Sequence, residues 1–368
     1  MSSRRSGTLR STESSWVPGP GSRVPGPGSR VRRVLSLAAL AVAGVWLSAL
    51  PAVEVLSPIG GLPPQIVGQM REPAAFMETA DGRFLVYDRR AQTVFSIDAK
   101  KTTLKKIVPI GPSDGEILRP LAFAAGPERN FVILDNPKDY ERVQMFYDTG
   151  TALSVFRRFP APGDAMRLNV DAMMSSGFGA IAMMGRDLLT QIPDGSALMS
   201  VMTMTGQITR RIGQLRPTGH ERDVELHRAL NTGLPLAAPD GSIYFVFTAG
   251  VPMFRKYSAA GDLIYERHIE GPELDTTLQS LPTQWPTRTV NSHEFPNVQG
   301  TVLTAAVDPQ GQLWISLAVP FTYVYDANGN KMRTVQFRGA GIMAPTSLSF
   351  AKGNRVLVTP GCYEYLIQ

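Results

Sequence analysis

Three groups of residues in this chain carry side chains with chemistry beyond packing. The first is His220, Glu221, Asp223, His227, His293 and Glu294, which includes three of the four histidines. Imidazole and carboxylate together can ligate a divalent metal or exchange protons. His220 and His227 stand seven positions apart and would share a helix face, but no third ligand follows at metal-site spacing. A solvated loop of paired surface charges accounts for the same residues, and the fourth histidine, His268, reads as structural. The second group is Arg71, Glu72, Arg119, Arg167 and Glu294, of which Glu72 and Arg119 stand directly before a proline and an apolar run. Gathered around one opening, they would suit an anionic small molecule or a partner's acidic tip. Paired with one another, they would simply close that opening. A calcium-dependent reaction there would need converging oxygens, and Glu72, Asn169, Asp171 and Asn297 are the available suppliers. The third group is methionine: Met166, Met173, Met174, Met183, Met184, Met199, Met202 and Met204 are eight of the fifteen. Thioethers suit Cu(I), but Met202 and Met204 alternate as strand residues do, so core filling is the expected role.

Other chemistries find no support. No phosphate-cradling Gly-rich loop, serine nucleophile elbow or Cys-His pair is present, and Gly177-Phe178-Gly179-Ala180 stands too much alone to be a nucleotide signature. The single cysteine, Cys362, can form no internal disulfide and reads as a buried thiol in the last strand.

The start of the chain has a different character. Residues 34–50 are uncharged, follow Arg30, Arg32 and Arg33, and run into Ser48, Ala49, Pro51 and Ala52. A basic n-region, an apolar h-region and a small-residue cleavage zone make a secretory signal, with cleavage after Ala49 or Ala52. Left uncleaved, the same run would be an N-terminal membrane anchor, although it falls short of the about 20 residues a spanning helix needs. Upstream, VPGPGSR occurs at 17–23 and again at 24–30, either a flexible leader or, as we prefer, a stretch that is not translated, with the signal starting near Val31. The chain is formally +6, but residues 1–52 hold seven arginines and one glutamate. The remainder has thirty basic and thirty acidic residues. The charge excess therefore belongs to the leader, and nothing in the mature part points to nucleic acid.

The elements that must position these groups are short strands in a recurring unit. Residues 301–339 show it best: Val302–Asp308, a turn at Gly311, Leu313–Ala318, Phe321–Tyr325, a turn at Asn328-Gly329, then Arg333–Phe337. Asn-Gly between apolar runs predicts a hairpin whose two central residues both have positive φ. Similar units fall at 71–108, 120–160, 166–213, 234–270 and 342–368. First-hairpin turns number six and second-hairpin turns five, so the last unit lacks an outer strand, which a spare strand at 65–69 is expected to supply. The fold class is therefore all-β: a six-bladed β-propeller over 62–368, of four-stranded antiparallel blades, the last closed by an N-terminal strand.

The stretches REPAAFMETADGRFLVYDRRAQTVFSID and DGSIYFVFTAGVPMFRKYSAAGDLIYERHI resemble the NHL-type six-bladed propeller family. That resemblance implies a scaffold for protein or RNA partners, and relatives with similar blades are lyases or lactonases. Both hairpin turns of a blade lie at one end of a propeller, and all are short here. The long segments, 136–142, 214–233 and 271–300, lie at the other end, where function is expected. The expected protein is an exported, monomeric binding module of the bacterial cell envelope. Its partner is a protein or glycan, and it has no cofactor. The alternative is a lyase or lactonase at the channel mouth, with a divalent metal. Arg71, Glu72, Arg119, Arg167, His220, His227, His293 and Glu294 are its candidate binding residues.

Overall fold

The computed structural model describes residues 53–127, 129–161, 164, 167–168, 174–175, 178–191, 195 and 197–367. They form six four-stranded antiparallel sheets arranged as the blades of a propeller. Blade 1 comprises Pro73–Glu78, Phe84–Asp88, Thr93–Ile97 and Leu104–Lys106. Blade 2 comprises Pro120–Ala125, Asn130–Asp135, Glu141–Tyr147 and Ala152–Arg158. Blade 3 comprises Ile181–Met184, Asp187–Thr190, Met199–Met202 and Ile208–Ile212, and so starts later than the expected 166. Blade 4 comprises Gly233–Ala237, Ile243–Phe247, Met253–Tyr257 and Leu263–His268. Blade 5 comprises Val302–Val307, Leu313–Leu317, Thr322–Tyr325 and Lys331–Arg338. Blade 6 is built from Ser347–Ala351, Arg355–Thr359 and Tyr363–Leu366, completed by Gly60–Gly61.

Each blade interface holds its own apolar cluster. Successive side chains of a strand point to opposite faces, so a strand inside the ring feeds two clusters at once. Leu85 and Tyr87 enter the blade 1–2 cluster, while Phe84 and Val86 enter the blade 6–1 cluster. Ile243, Phe245 and Phe247 face blade 3, and Tyr244 and Val246 face blade 5. This is why the second strands read as unbroken apolar runs such as Ile243–Phe247 and Leu313–Leu317, buried at every position. Burial relaxes toward the rim, and the fourth strand Leu263–His268 is largely exposed. The methionines of blade 3 are core filling: Met183 and Met202 pack toward blade 2, and Met199 toward blade 4. Met166 and Met173 lie outside the described residues.

The hairpins differ from the expected two-residue turn. At Asp326–Asn330 the Gly329 N–H donates to the Asp326 carbonyl, the Asp326 N–H to the Asn330 carbonyl, and only Gly329 takes positive φ, 81°. The Asp326 carboxylate accepts from the N–H groups of Asn328 and Asn330. This is a type I turn followed by a left-handed glycine that bulges the strand, with the register shift between Val324 and Tyr325. The same pattern closes the hairpins at Gly82, Gly150, Gly206, Gly241, Gly261 and Gly311.

Ring closure also differs in detail. Residues 65–69 do not form a strand: Pro64–Val67 is a single helical turn, begun by Pro64, whose missing N–H costs nothing at a helix start. The closing strand is Gly60–Gly61 on Tyr363–Leu366. Before it, Glu54–Leu56 adds in parallel to the outer strand of blade 5. The Glu54 carboxylate meets Arg333 at 3.0 Å there, and Leu56 is buried in the blade 5–6 cluster. Leu62 and Ile66 then enter the blade 6–1 cluster. One segment therefore straps blades 5, 6 and 1 together. Arg355 reinforces the seam, bridging Glu78 of blade 1 (2.6 Å) and Glu364 of blade 6 (2.7 Å).

Two expectations follow. Arg142 and Asp135 are fully buried and bonded through two guanidinium nitrogens, at 3.0 and 2.6 Å. Burial pushes the Asp135 carboxyl up from the usual carboxylate range, against the bonds from Arg142 and the Leu118 N–H. Arg142 also donates to the carbonyls of Pro112, Ser113 and Glu116, fastening the blade 1–2 crossover. Arg142→Met should therefore lower the unfolding free energy by about 3–5 kcal/mol in urea denaturation, and adding Asp135→Asn should restore part of it. Burial likewise pushes the Cys362 thiol up to about 12. Native protein should stay inert to a thiol reagent at about pH 8, whereas urea-unfolded protein should react in full.

Candidate functional site

The two ends of the ring are built differently. The end that carries the hairpin turns is short-looped throughout. At the other end lie the connections between second and third strands and the crossovers between blades. Three crossovers are long, and each has secondary structure of its own. Residues 159–180 contain the small hairpin Arg167–Leu168/Met174–Ser175. Residues 213–232 contain the helix Val224–Leu230, and residues 269–301 contain the helix Asp275–Gln279 and the hairpin Thr287–Val290/His293–Pro296.

Local chemistry explains the last two insertions. The Asp223 carboxylate caps the Val224–Leu230 helix by accepting from the Leu226 N–H at 3.0 Å. At the other end Asn231 is fully buried: its amide donates to the His227 and Arg216 carbonyls and its oxygen accepts from the Arg216 N–H. The Arg216 guanidinium is buried too, and no carboxylate among the described residues bonds to it. It donates to the carbonyls of Leu230, Ala249 and Val251 at 2.7–2.8 Å and lies over the Phe247 ring, 4.4 Å from its centroid. Burial lowers its pKa to about 10. It thereby ties the helix C-terminus to the blade 4 loop. In the hairpin, Asn291 and Ser292 have φ of 50° and 64°, the turn in which both central residues are left-handed.

These insertions meet. His293 Nε2 lies 2.8 Å from Glu225 Oε1, joining the hairpin to the helix, and the His293 ring packs on Phe295 at 4.4 Å. Phe295 is itself buried. The sequence reading placed His293 among the candidates but not Glu225, 68 positions away. Arg216 was missed as well. The remaining histidines and carboxylates do not join them. His227 Nδ1 pairs with the Thr218 hydroxyl at 2.7 Å. Glu221 accepts from the N–H groups of Thr218 and Gly219, which hold its carboxyl below the usual range. His220 takes part through its backbone, its N–H donating to the Thr218 hydroxyl and its carbonyl accepting from the Asp223 N–H, and Glu294 is exposed on the hairpin. Among the described residues, no three His, Cys, Asp or Glu side chains converge as a metal set.

The axial entry is arranged otherwise than as a ring of charge. Arg71, Glu72 and Arg119 do stand at the starts of the innermost strands of blades 1 and 2. Glu72 is bound by Arg89, with Arg90 at 3.9 Å. The Asp88 carboxylate accepts from the N–H groups of Arg71, Glu72 and Ala91 and so seats the blade 1 entry. Arg119 donates to the Lys138 carbonyl. Arg167 and Glu294 are not at blade entries at all: each lies in a crossover hairpin. Asn169 and Asp171 lie outside the described residues. Between the six innermost strands runs a channel of about 920 Å³, from Arg89 at the long-loop end to Pro127, Pro239 and Pro309 at the hairpin end. Its wall is mostly Ala, Leu, Phe, Met and Val.

No protein-family model matches the chain, and no curated protein matches it. Solved structures are similar to it at low identity. One is a streptogramin B lyase, at 13% identity and a TM-score of 0.46, covering 80% of this chain and 92% of that one. Another is virginiamycin B lyase from Staphylococcus aureus, in a catalytically inactive form with quinupristin. It is 11% identical, with a TM-score of 0.47, covering 83% and 96%. Hydrazine synthase of Kuenenia stuttgartiensis gives 10% identity and a TM-score of 0.45, covering 78% and 74%. Likeness at this level carries no chemistry over to this chain. The resemblance to NHL-type propellers rests on the blade residues alone.

Proposed function

We propose that the protein is an exported, monomeric binding module that recognises a protein or glycan partner of the cell envelope through its long-loop end. The observation that carries this reading is the His293–Glu225 contact, which joins two crossovers into one preorganised platform. Preorganised loops lose little freedom on binding, so more of the contact energy appears as affinity. The platform presents Val224 and Val251 to solvent, 52% and 49% exposed. Export is supported by the sequence ahead of the strap. Cleavage after Ala49 or Ala52 would leave Glu54 and Leu56 in place to pair with blade 5.

Two experiments test this. Immobilised protein should retain a partner from envelope extract, identified as protein or glycan by mass spectrometry. Val224→Asp and Val251→Glu should abolish retention, while Ile264→Asp on the exposed outer strand of blade 4 should leave it intact. Loss with Ile264→Asp alone would move the interface to the rim. Cell fractionation with N-terminal sequencing should find the protein in the envelope fraction, starting at Leu50 or Val53. A cytosolic protein retaining residues 34–52 would overturn the export reading.

A further inference from the structure

The wall of the axial channel has an unusual composition. The six innermost strands are PAAFME, PLAFAA, IAMM, GLPLA, VLTAAV and SLSFA, and their only charged residue is Glu78, at a strand end. Glu78 is bound by Arg355. Leu121, Phe123, Leu234, Leu236 and Leu348 line the channel yet are only half-buried, and Leu303 is 41% exposed. An apolar wall of this kind is a standing cost in water unless something covers it. The volume, about 920 Å³, falls within the range of small-molecule sites. Six strand residues span about 20 Å, enough for an elongated ligand.

The two mouths differ in charge. At the hairpin end the charges cancel locally: Asp81 pairs with Arg83 and Arg129, Asp240 with Lys256, and Asp308 is buried and accepts from the Trp314 indole N–H at 3.0 Å. At the long-loop end the entries to blades 3–6 are uncharged, at Ala180, Thr232, Thr301 and Thr346. The entries to blades 1 and 2 hold Arg71, Arg89, Arg90 and Arg119; of these Arg89 lines the channel itself and is bound by the half-buried carboxylate Glu72. Asp88 is spent on backbone N–H groups, and Lys138 is offset by its neighbour Asp139. The Arg71 side chain has no partner among the described residues. Cationic charge thus collects at one sector of one mouth of an apolar channel.

We propose that the channel binds an aliphatic carboxylate of the fatty-acid type. Its tail lies along the innermost strands, and its carboxylate sits at the arginines of the blade 1 and 2 entries. The tail displaces water from Leu121, Leu234 and Leu348, and the head group is met by donors whose planar fork matches a carboxylate. This site is separate from the loop platform, so either can fail without the other.

The test is calorimetric titration of the purified protein with dodecanoate, dodecanol and dodecyltrimethylammonium. Dodecanoate should bind one per protein, about tenfold tighter than dodecanol, with the ammonium compound weakest. Ala122→Phe and Ala306→Phe, from opposite sides of the channel, should each abolish dodecanoate binding. Arg71→Met combined with Arg90→Met should weaken dodecanoate about tenfold and leave dodecanol unchanged. These two arginines are exposed, so the pair remains decisive even if a phenylalanine variant fails to fold. The proposal is overturned if dodecanoate does not bind below its micelle concentration, if the cationic amphiphile binds equally well, or if a folded phenylalanine variant binds normally.

Discussion

The structure depends on one constraint: a strand inside the ring is buried on both faces, so alternate side chains must satisfy two different cores. Phe84 and Val86 belong with blade 6, and Leu85 and Tyr87 with blade 2. A single slip of register would exchange the two sets, and each cluster would receive side chains shaped for the other. The bulged glycine turns set that register at one end. At the other end buried polar groups seat the incoming strand. Asp88 receives the N–H groups ahead of blade 1, and Asp135 with Arg142 secures the crossover into blade 2.

The same economy governs the insertions. Arg216 and Asn231 stand where water would otherwise satisfy the end of the Val224–Leu230 helix and the blade 4 loop. A buried guanidinium with no carboxylate bonded to it among the described residues is tolerable because three carbonyl dipoles and an aromatic face surround it. The loop end is consequently ordered by interior bonds at the helix C-terminus, with the His293–Glu225 contact joining the hairpin to the helix nearer the surface.

Much of this was legible in the residues. Continuous apolar runs with Asp-Gly or Asn-Gly between them mark blades 1, 4 and 5, and runs around other glycine turns mark blades 2 and 6, because the physics of two-sided burial and left-handed glycine is local. Blade 3 was blurred, since its crossover carries apolar residues of its own between Met166 and Ala180. The closing strand was misplaced because Gly60–Gly61 has no side chains to signal a strand, whereas Gln65–Gln69 offered a plausible alternation. The Asn291-Ser292 turn does carry a sequence signal, an Asn between two short strand tetrapeptides. The His293–Glu225 contact left none: a pairing between separate crossovers is a property of the closed ring. The apolar inner wall, by contrast, is written plainly in the six first strands, and acquires meaning only once they face one axis.

The strap that joins blades 5, 6 and 1 has a consequence for the order in which the protein is made. Its residues, Glu54 to Ile66, leave the ribosome before any blade, but their partners on Lys331–Arg338 and Tyr363–Leu366 are the last to appear. Leu56 must therefore wait, uncovered, through the synthesis of the entire domain, while Leu62 and Ile66 meet the blade 1 side of their cluster early and the blade 6 side last. A chain stopped a few residues short of Leu366 is an open arc with a loose end at each side, so ring integrity is a check on completeness.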